Sequence, residues 1–163
     1  MYPGLEALPL DVLVDTTVLR DVVFAEVFPA EQRDHLRDAT AVAMVRSYLQ
    51  TRRRRATTPQ VLTELDYHLR RASRGRKHTE RARYRAFGGP CRAFGHVDSA
   101  GLLALDLEVV KAFGPTDAAL LEAARRESLT LFTGDVPLEG VARNRGLSVL
   151  SVWQVLTHPA THE

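Results

Sequence analysis

The sequence predicts an α/β fold of three layers, with a central, mainly parallel sheet flanked by helices. Two observations predict it. The runs Val12-Leu13-Val14 and Leu129-Thr130-Leu131-Phe132 are largely apolar without strict alternation, which suits strands buried on both faces, as in a parallel sheet covered by helices. Each run ends in an acid, Asp15 or Asp135, and then turns to helical spacing. At 163 residues with 45% hydrophobic content, the chain is long enough for one domain with a real core and too short for two. Residues 1–163 therefore read as a single domain with its core over about 11–156.

Residues 1–10 carry Pro3, Gly4 and Pro9 and form a lead-in to the first strand. After Asp15, Val18, Leu19, Val22 and Val23 recur at helical spacing, giving a short helix that ends near Pro29. A longer helix is predicted from about Ala30 to Gln50, with Leu36, Ala39, Val42, Ala43, Val45, Tyr48 and Leu49 as its apolar face. The centre of 51–59 reads as a brief strand, and Thr58 and Pro59 as N-cap and first residue of the next helix. That helix carries Val61, Leu62, Leu65 and Leu69 on one side. It continues as basic helix over 70–85, with Gly75 a break and Gly88-Gly89-Pro90 the end. No element is assigned from Arg92 to Ala100.

Residues 102–113 are helical by spacing and are stopped by Gly114-Pro115. Thr116-Asp117-Ala118 opens another helix, which Thr116 or Asp117 could cap. The second clear strand, begun at Ser128, precedes a short helix from Pro137 that Gly146 ends. Residues 147–152 read as the last strand, 153–156 as a final turn and 157–163 as a flexible tail.

The formal net charge is only +2, but it is unevenly distributed. From Arg46 to Arg92 fourteen Arg and Lys face Glu64, Asp66 and Glu80, a local net of +11 that leaves −9 for the rest. Such asymmetry points to a polyanion on one side of the molecule, nucleic acid being the usual candidate, with a solvated helical surface as the alternative. Cys91 is the only cysteine, which excludes an internal disulfide and makes a reducing, cytoplasmic setting the expectation. No apolar stretch approaches the ~20 residues of a membrane span, and the N-terminus lacks the order of a signal peptide.

Asp15 is a strand-end carboxylate, and in open α/β sheets the crevice beyond the carboxyl ends of the strands is where ligands sit. The competing role is an N-cap that satisfies free N–H groups of the following helix. Asp135 repeats the pattern, Asp117 shares a helix face with Leu120, Leu121 and Ala124, and Glu64 falls about 60° from Val61, on the border of its helix's apolar face. A carboxylate at such a border either reaches water or meets a metal or a cation. If the four acids converge above one sheet edge, a divalent cation is the simplest relief of their repulsion. An all-carboxylate set suits Mg²⁺ or Mn²⁺ and not zinc. The six histidines show no paired ligand spacing and read as surface or structural.

With these residues in view, the chain resembles the PIN-domain nucleases over about residues 11–156. The matching stretches are Val14-Asp15-Thr16-Thr17-Val18-Leu19, Thr58-Pro59-Gln60-Val61-Leu62-Thr63-Glu64-Leu65, Thr116-Asp117-Ala118 and Leu131-Phe132-Thr133-Gly134-Asp135. Thr17 stands where Asn or Ser is more familiar, and Gly134 where a second acid often occurs. The resemblance implies that Asp15, Glu64, Asp117 and Asp135 bind Mg²⁺ or Mn²⁺, that Thr133 supports the site, and that the substrate is single-stranded RNA. It also implies a likeness to the virulence-associated type C toxins, which form homodimers and are held inactive by a small antitoxin.

The chemistry that follows is hydrolysis of an RNA phosphodiester by a metal-activated water, with one or two ions held by Asp15, Asp117 and Asp135 and with Glu64 as ligand or base. Arg52, Arg53, Arg54 and Arg55 are the candidates for holding the RNA backbone, with a dimer or antitoxin surface as their other possible role. Two rivals remain. A phosphatase of the haloacid-dehalogenase type needs Asp-x-Asp at the first strand, and here the third residue is Thr17. A PIN-like scaffold that binds RNA or protein without cutting is the non-enzymatic alternative, against which the presence of all four acids argues.

Overall fold

The buried runs form the middle of a parallel sheet. The computed structural model describes residues 7–28, 38–73, 75–98 and 106–158. Among them β1 (Asp11–Val14), β2 (Arg54–Thr57), β3 (Gly95–His96), β4 (Thr130–Thr133) and β5 (Val149–Ser151) lie in the order β3-β2-β1-β4-β5. Every pairing is parallel, with Leu13 opposite Ala56 on one side and Leu131 on the other. Val12, Leu13 and Val14 are fully buried, as strands covered on both faces should be.

Eight helices are described: α1 (Thr16–Val27), α2 (Ala39–Gln50), α3 (Pro59–Ala72), α4 (Arg76–Gly88), α5 (Leu107–Phe113), α6 (Pro115–Glu127), α7 (Val136–Asn144) and α8 (Val152–Leu156). They flank the sheet as the outer layers of a three-layer α/β fold. α1 packs against α2 and α3, and both α6 and α7 reach β4. Tyr48 of α2 meets Phe132 of β4 edge to face, with 5.1 Å between ring centroids, a geometry that matches ring edge to ring face.

Strand order places the functional crevice. From β1 the chain moves out through β2 to β3, then returns to the other side of β1 for β4 and β5. The reversal falls between β1 and β4, and ligands in open α/β sheets bind at the carboxyl ends of the strands at such a switch point. Asp15 leaves β1 there. Its N–H donates to the Phe132 carbonyl at 3.1 Å, so the residue is tied to both central strands.

Several predicted boundaries move. α2 begins at Ala39 rather than near Ala30, because Asp38 is non-helical and its carboxylate accepts from the Thr40 N–H at 2.6 Å; residues 29–37 lie outside the described part. Likewise α5 starts after Asp106, which caps it through Glu108 and Val109, and the predicted stretch 102–105 lies outside. Neither Thr116 nor Asp117 caps α6: Gly114, at φ +94°, takes that place, and Pro115 follows as first residue. Such a φ suits glycine, which has no Cβ to clash. The stretch left unassigned supplies a 3₁₀ turn at Pro90–Ala93 and the edge strand β3.

Thr58 and Pro59 start α3 as predicted, the Thr58 hydroxyl accepting from the Val61 N–H at 3.4 Å. β5 is shorter than predicted. The final turn is a short helix with a capping box between Ser151 and Gln154. Of the predicted tail, 159–163 lie outside the described residues. No helix among the described residues is long and apolar enough to cross a membrane.

Candidate active site

Asp15 occupies the N-cap position of α1 but does no capping with its side chain. Its Oδ2 instead accepts two hydroxyls, Thr17 Oγ1 at 2.7 Å and Thr133 Oγ1 at 2.7 Å. Both hydroxyls are themselves acceptors: Thr17 Oγ1 takes the Gly134 N–H at 3.1 Å and Thr133 Oγ1 takes the Asp135 N–H at 2.9 Å. The turn between β4 and α7 is thereby laced to the carboxylate that ends β1. Asp15 is 3% exposed. Burial pushes its carboxyl above the ordinary value, the Thr133 and Thr17 hydroxyls oppose the rise, and the Asp135 charge adds to it.

Asp135 plays the part that Asp15 declines. It caps α7, Oδ1 accepting from the Leu138 N–H at 2.9 Å, which fixes the side chain at the crevice mouth. Glu64, on α3, is held from α1: Thr16 Oγ1 donates to Glu64 Oε2 at 2.9 Å. Its side chain keeps 40% of its exposure, so the border position read from the sequence holds. Asp117 stands in the first turn of α6 and is half-buried. Burial first, then the charges of Asp15, Asp135 and Glu64, push its carboxyl up to about 7. Asp117 therefore feels the charges of the other three predicted acids and Asp15 that of Asp135, and among the described residues no Arg or Lys forms an ion pair with any of the four.

Chemically this is a group of like-charged carboxylates, with the His68 imidazole beside Glu64. The donor set fits a hard divalent cation such as Mg²⁺ or Mn²⁺. As the side chains stand, no group of three or more acids, histidines or cysteines among the described residues is gathered tightly enough to hold an ion. Asp15, Asp135 and Glu64 are each held by hydrogen bonds, so the adjustment that ligation requires falls first to Asp117, for which no side-chain hydrogen bond is seen among the described residues.

The predicted RNA contacts Arg52 to Arg55 are not brought to this crevice. They precede or open β2, and in a parallel sheet that places them at the amino edge, opposite the acids. Arg52 is 5% exposed; Nη1 donates to the carbonyls of Leu8 and Pro9 at 2.8 Å each, Nε to Tyr48 O at 3.0 Å, and the guanidinium lies 4.2 Å from the Tyr48 ring centroid. Arg53 pairs with Asp11, and Arg54 with Glu127 at 3.0 Å. Arg55 sits opposite Val12 on the same strand pairing. Arg52 braces the lead-in to β1 against α2, a role that a charge run in sequence does not announce, whereas Arg53 and Arg54 lie in exposed ion pairs.

Three residues to which the sequence reading gave no role at the site touch its acids. Thr16 orients Glu64 and Thr17 orients Asp15. With its hydroxyl committed to Asp15 and Gly134, Thr17 is a positioning group, not a stand-in for a second acid. His68, one turn beyond Glu64, has Nε2 3.9 Å from Glu64 Oε1. Burial lowers its pKa, as do the charges of Arg20 and Arg71, against the pull of Glu64. The signal for His68 was its i+4 spacing from an acid.

Comparison with known proteins supports the fold. No family model matches the sequence, and no curated protein matches it. Among solved structures, FitAB bound to the IR36 DNA fragment is similar at a TM-score of 0.57 with 16% identity, over 87% of this chain and 95% of that one. PAE2754 from Pyrobaculum aerophilum is similar at 0.54 with 18% identity, over 90% and 87%. VapBC2 from Rickettsia felis, bound to a DNA fragment from their promoter, is similar at 0.54 with 16% identity, over 86% and 97%. The chain shares its fold with these structures, as the resemblance to the PIN domain led one to expect.

Proposed function

We propose that this chain is a Mg²⁺- or Mn²⁺-dependent endoribonuclease that hydrolyses phosphodiesters of single-stranded RNA, and that it is the toxin of a cytoplasmic toxin–antitoxin pair. The observation that carries the reading is the Asp15 carboxylate, buried at the switch point and held by two hydroxyls instead of a cation, with Asp117 pushed up to about 7 by its burial and its acidic neighbours. Asp15, Asp117, Asp135 and Glu64 would hold the ion. When bound, such an ion lowers the pKa of water and offsets the charge that develops on phosphate. The chain's own groups do the rest. Thr17 and Thr133 fix the Asp15 carboxylate, Thr16 aims Glu64, and Glu64, its orientation set from α1, would take a proton from the attacking water. A homodimer and a small antitoxin partner are proposed from the resemblance to virulence-associated type C toxins.

Cleavage of a labelled single-stranded RNA by the purified chain should require Mn²⁺ or Mg²⁺, and the ion should raise the melting temperature by mass action. Asp15→Asn should abolish cleavage, diminish that rise and leave the circular dichroism spectrum unchanged. Full activity in Asp15→Asn, or in excess EDTA, would sink the assignment.

A further inference from the structure

Helix α3 brings more than Glu64 to the crevice. Its inner side is set by Val61, Leu65 and Leu69, all fully buried. On the adjoining face Glu64, Tyr67, His68 and Arg71 follow at i, i+3, i+4 and i+7, the spacing of helix neighbours. Tyr67 is 57% exposed, and the His68 imidazole stands edge to face against it with 5.8 Å between ring centroids. Because His68 Nε2 is 3.9 Å from Glu64 Oε1, this ring pair abuts the acid site.

Basic groups frame the same face. Arg20 of α1 and Arg71 both lie within charge range of His68. On this helix Arg70 is committed to Asp66 at 2.8 Å, whereas Arg71 makes no ion pair among the described residues. Arg20 pairs with Asp21 Oδ1 at 3.5 Å and is 34% exposed on its side chain. An exposed aromatic ring on a helix face that also carries guanidinium groups is the chemistry that recognises a single nucleic-acid strand: bases stack on the ring, and the cations follow the phosphates. A protein partner would be served better by an apolar patch, and the neighbours of Tyr67 on this face are Glu64, His68 and Arg71.

We propose that the Glu64–Arg71 face of α3, with Arg20 beside it, is the track along which single-stranded RNA runs from the acid site. Tyr67 stacks an unpaired base, and Arg20 and Arg71 hold the flanking phosphates. The proposal rests on the ribonuclease reading above, and its test separates the two.

Binding of a short fluorescein-labelled oligouridylate is followed by anisotropy for the full chain carrying Asp135→Asn, which keeps a capping side chain at α7. Adding Tyr67→Ala should weaken binding about 5- to 150-fold, the range for losing one base stack, and Tyr67→Phe should restore it. Adding Arg20→Ala with Arg71→Ala should flatten the fall of log K with log salt by about 1.4, two single-strand phosphate contacts. Unchanged affinity in Tyr67→Ala, or an unchanged slope in the arginine pair, overturns the track while RNA cleavage by the chain with Asp135 intact would still stand. Binding that follows these expectations in a chain that cuts no RNA with Mn²⁺ keeps the track and removes the nuclease reading. A parent that binds no RNA overturns both. Tyr67→Ala that leaves RNA binding intact but releases a co-purifying small protein makes this a protein surface and refutes the track.

Discussion

The two edges of the sheet use the same residue types to opposite ends. At the amino edge every acid named here has a guanidinium: Asp11 pairs with Arg53 and Glu127 with Arg54, while buried Arg52 fills its donors with carbonyls. At the carboxyl edge Asp15, Asp117, Asp135 and Glu64 face one another, and hydroxyls and backbone N–H groups are their only hydrogen-bond donors among the described residues. The pKa directions record the contrast. Hydrogen bonds from arginine lower Asp11 and Glu127, whereas burial raises Asp15 and Asp117. A fold gains nothing from gathering like charges at one edge when it could pair them as it does at the other. On the proposed function, the carboxyl edge would take a ligand that brings positive charge.

The contrast breaks most visibly at Arg52. Arg52→Ala leaves the Leu8 carbonyl without its donor, removes the charged bonds to Pro9 and Tyr48, and strips the cover from the Tyr48 ring. A cost of about 3 kcal/mol follows, since a hydrogen bond to a charged group is worth roughly 1.5–3 kcal/mol and a stranded buried acceptor costs about as much again, less what water recovers. Urea titration should show that loss with an unchanged m-value, and cleavage per folded molecule should remain at the parent level. Lost cleavage with unchanged stability would move Arg52 from the brace to the site.

At the other edge, Thr133→Val removes a buried hydroxyl from Asp15 without changing side-chain volume much. Groups that orient a metal ligand are worth about 10–100-fold in metal affinity, so the Mn²⁺ concentration for half-maximal cleavage should rise by that factor. Stability without metal should change far less than in Arg52→Ala. Unchanged Mn²⁺ dependence would show that the carboxylate needs no help from Thr133.

The opposed pKa directions also predict opposed pH responses in the metal-free protein. Between the ordinary carboxylate value of 3.8 and about 7, folded Asp117 retains a proton that the unfolded chain has lost. Its contribution to stability is therefore lost as pH rises through that window, and Asp15 acts in the same sense. Asp11 and Glu127 act in the reverse sense: their pairs stabilise above 3.8 and 4.5 and are lost as pH falls below those values. Thermal midpoints should therefore decline from about pH 4 toward pH 7, and Asp117→Asn should remove most of that decline. A flat profile in the parent would mean that the acids do not feel one another.

How much of this was legible beforehand differs between the two edges. Asp15 and Asp135 could be found because an apolar run that ends in an acid is a local pattern, and Glu64 because helical geometry sets its angle from Val61. Thr16 and Thr17 could not, since a hydroxyl's partner is a matter of which loop lies across the switch point. Arg52 to Arg55 were misplaced for a related reason. A charge run has the same composition at either end of a strand, and only the direction of β2 in a parallel sheet puts residues before the strand at the amino edge and residues after it beside the acids. The helix starts at Ala39 and Leu107 were missed because the sequence reading carried the helices back through Leu36 and Leu102, past the capping residues Asp38 and Asp106.

The smallest expected effect closes the comparison. Arg53 and Arg54 lie at the amino edge in exposed ion pairs with Asp11 and Glu127, and exposed pairs contribute little because water screens them and holding two long side chains in place costs entropy. Arg53→Ala with Arg54→Ala should therefore leave the melting temperature close to the parent's. If phosphates run along α3 and not past β2, the same change should also leave the salt dependence of RNA binding unaltered. Each lost phosphate contact would flatten the slope by about 0.7, so two contacts would be unmistakable. Measured beside the Arg20 and Arg71 pair in one titration series, a flattened slope in the amino-edge variant would extend the RNA path round to the edge opposite the acids. A flat response there, with a clear one at α3, would confine the nucleic acid to the carboxyl edge.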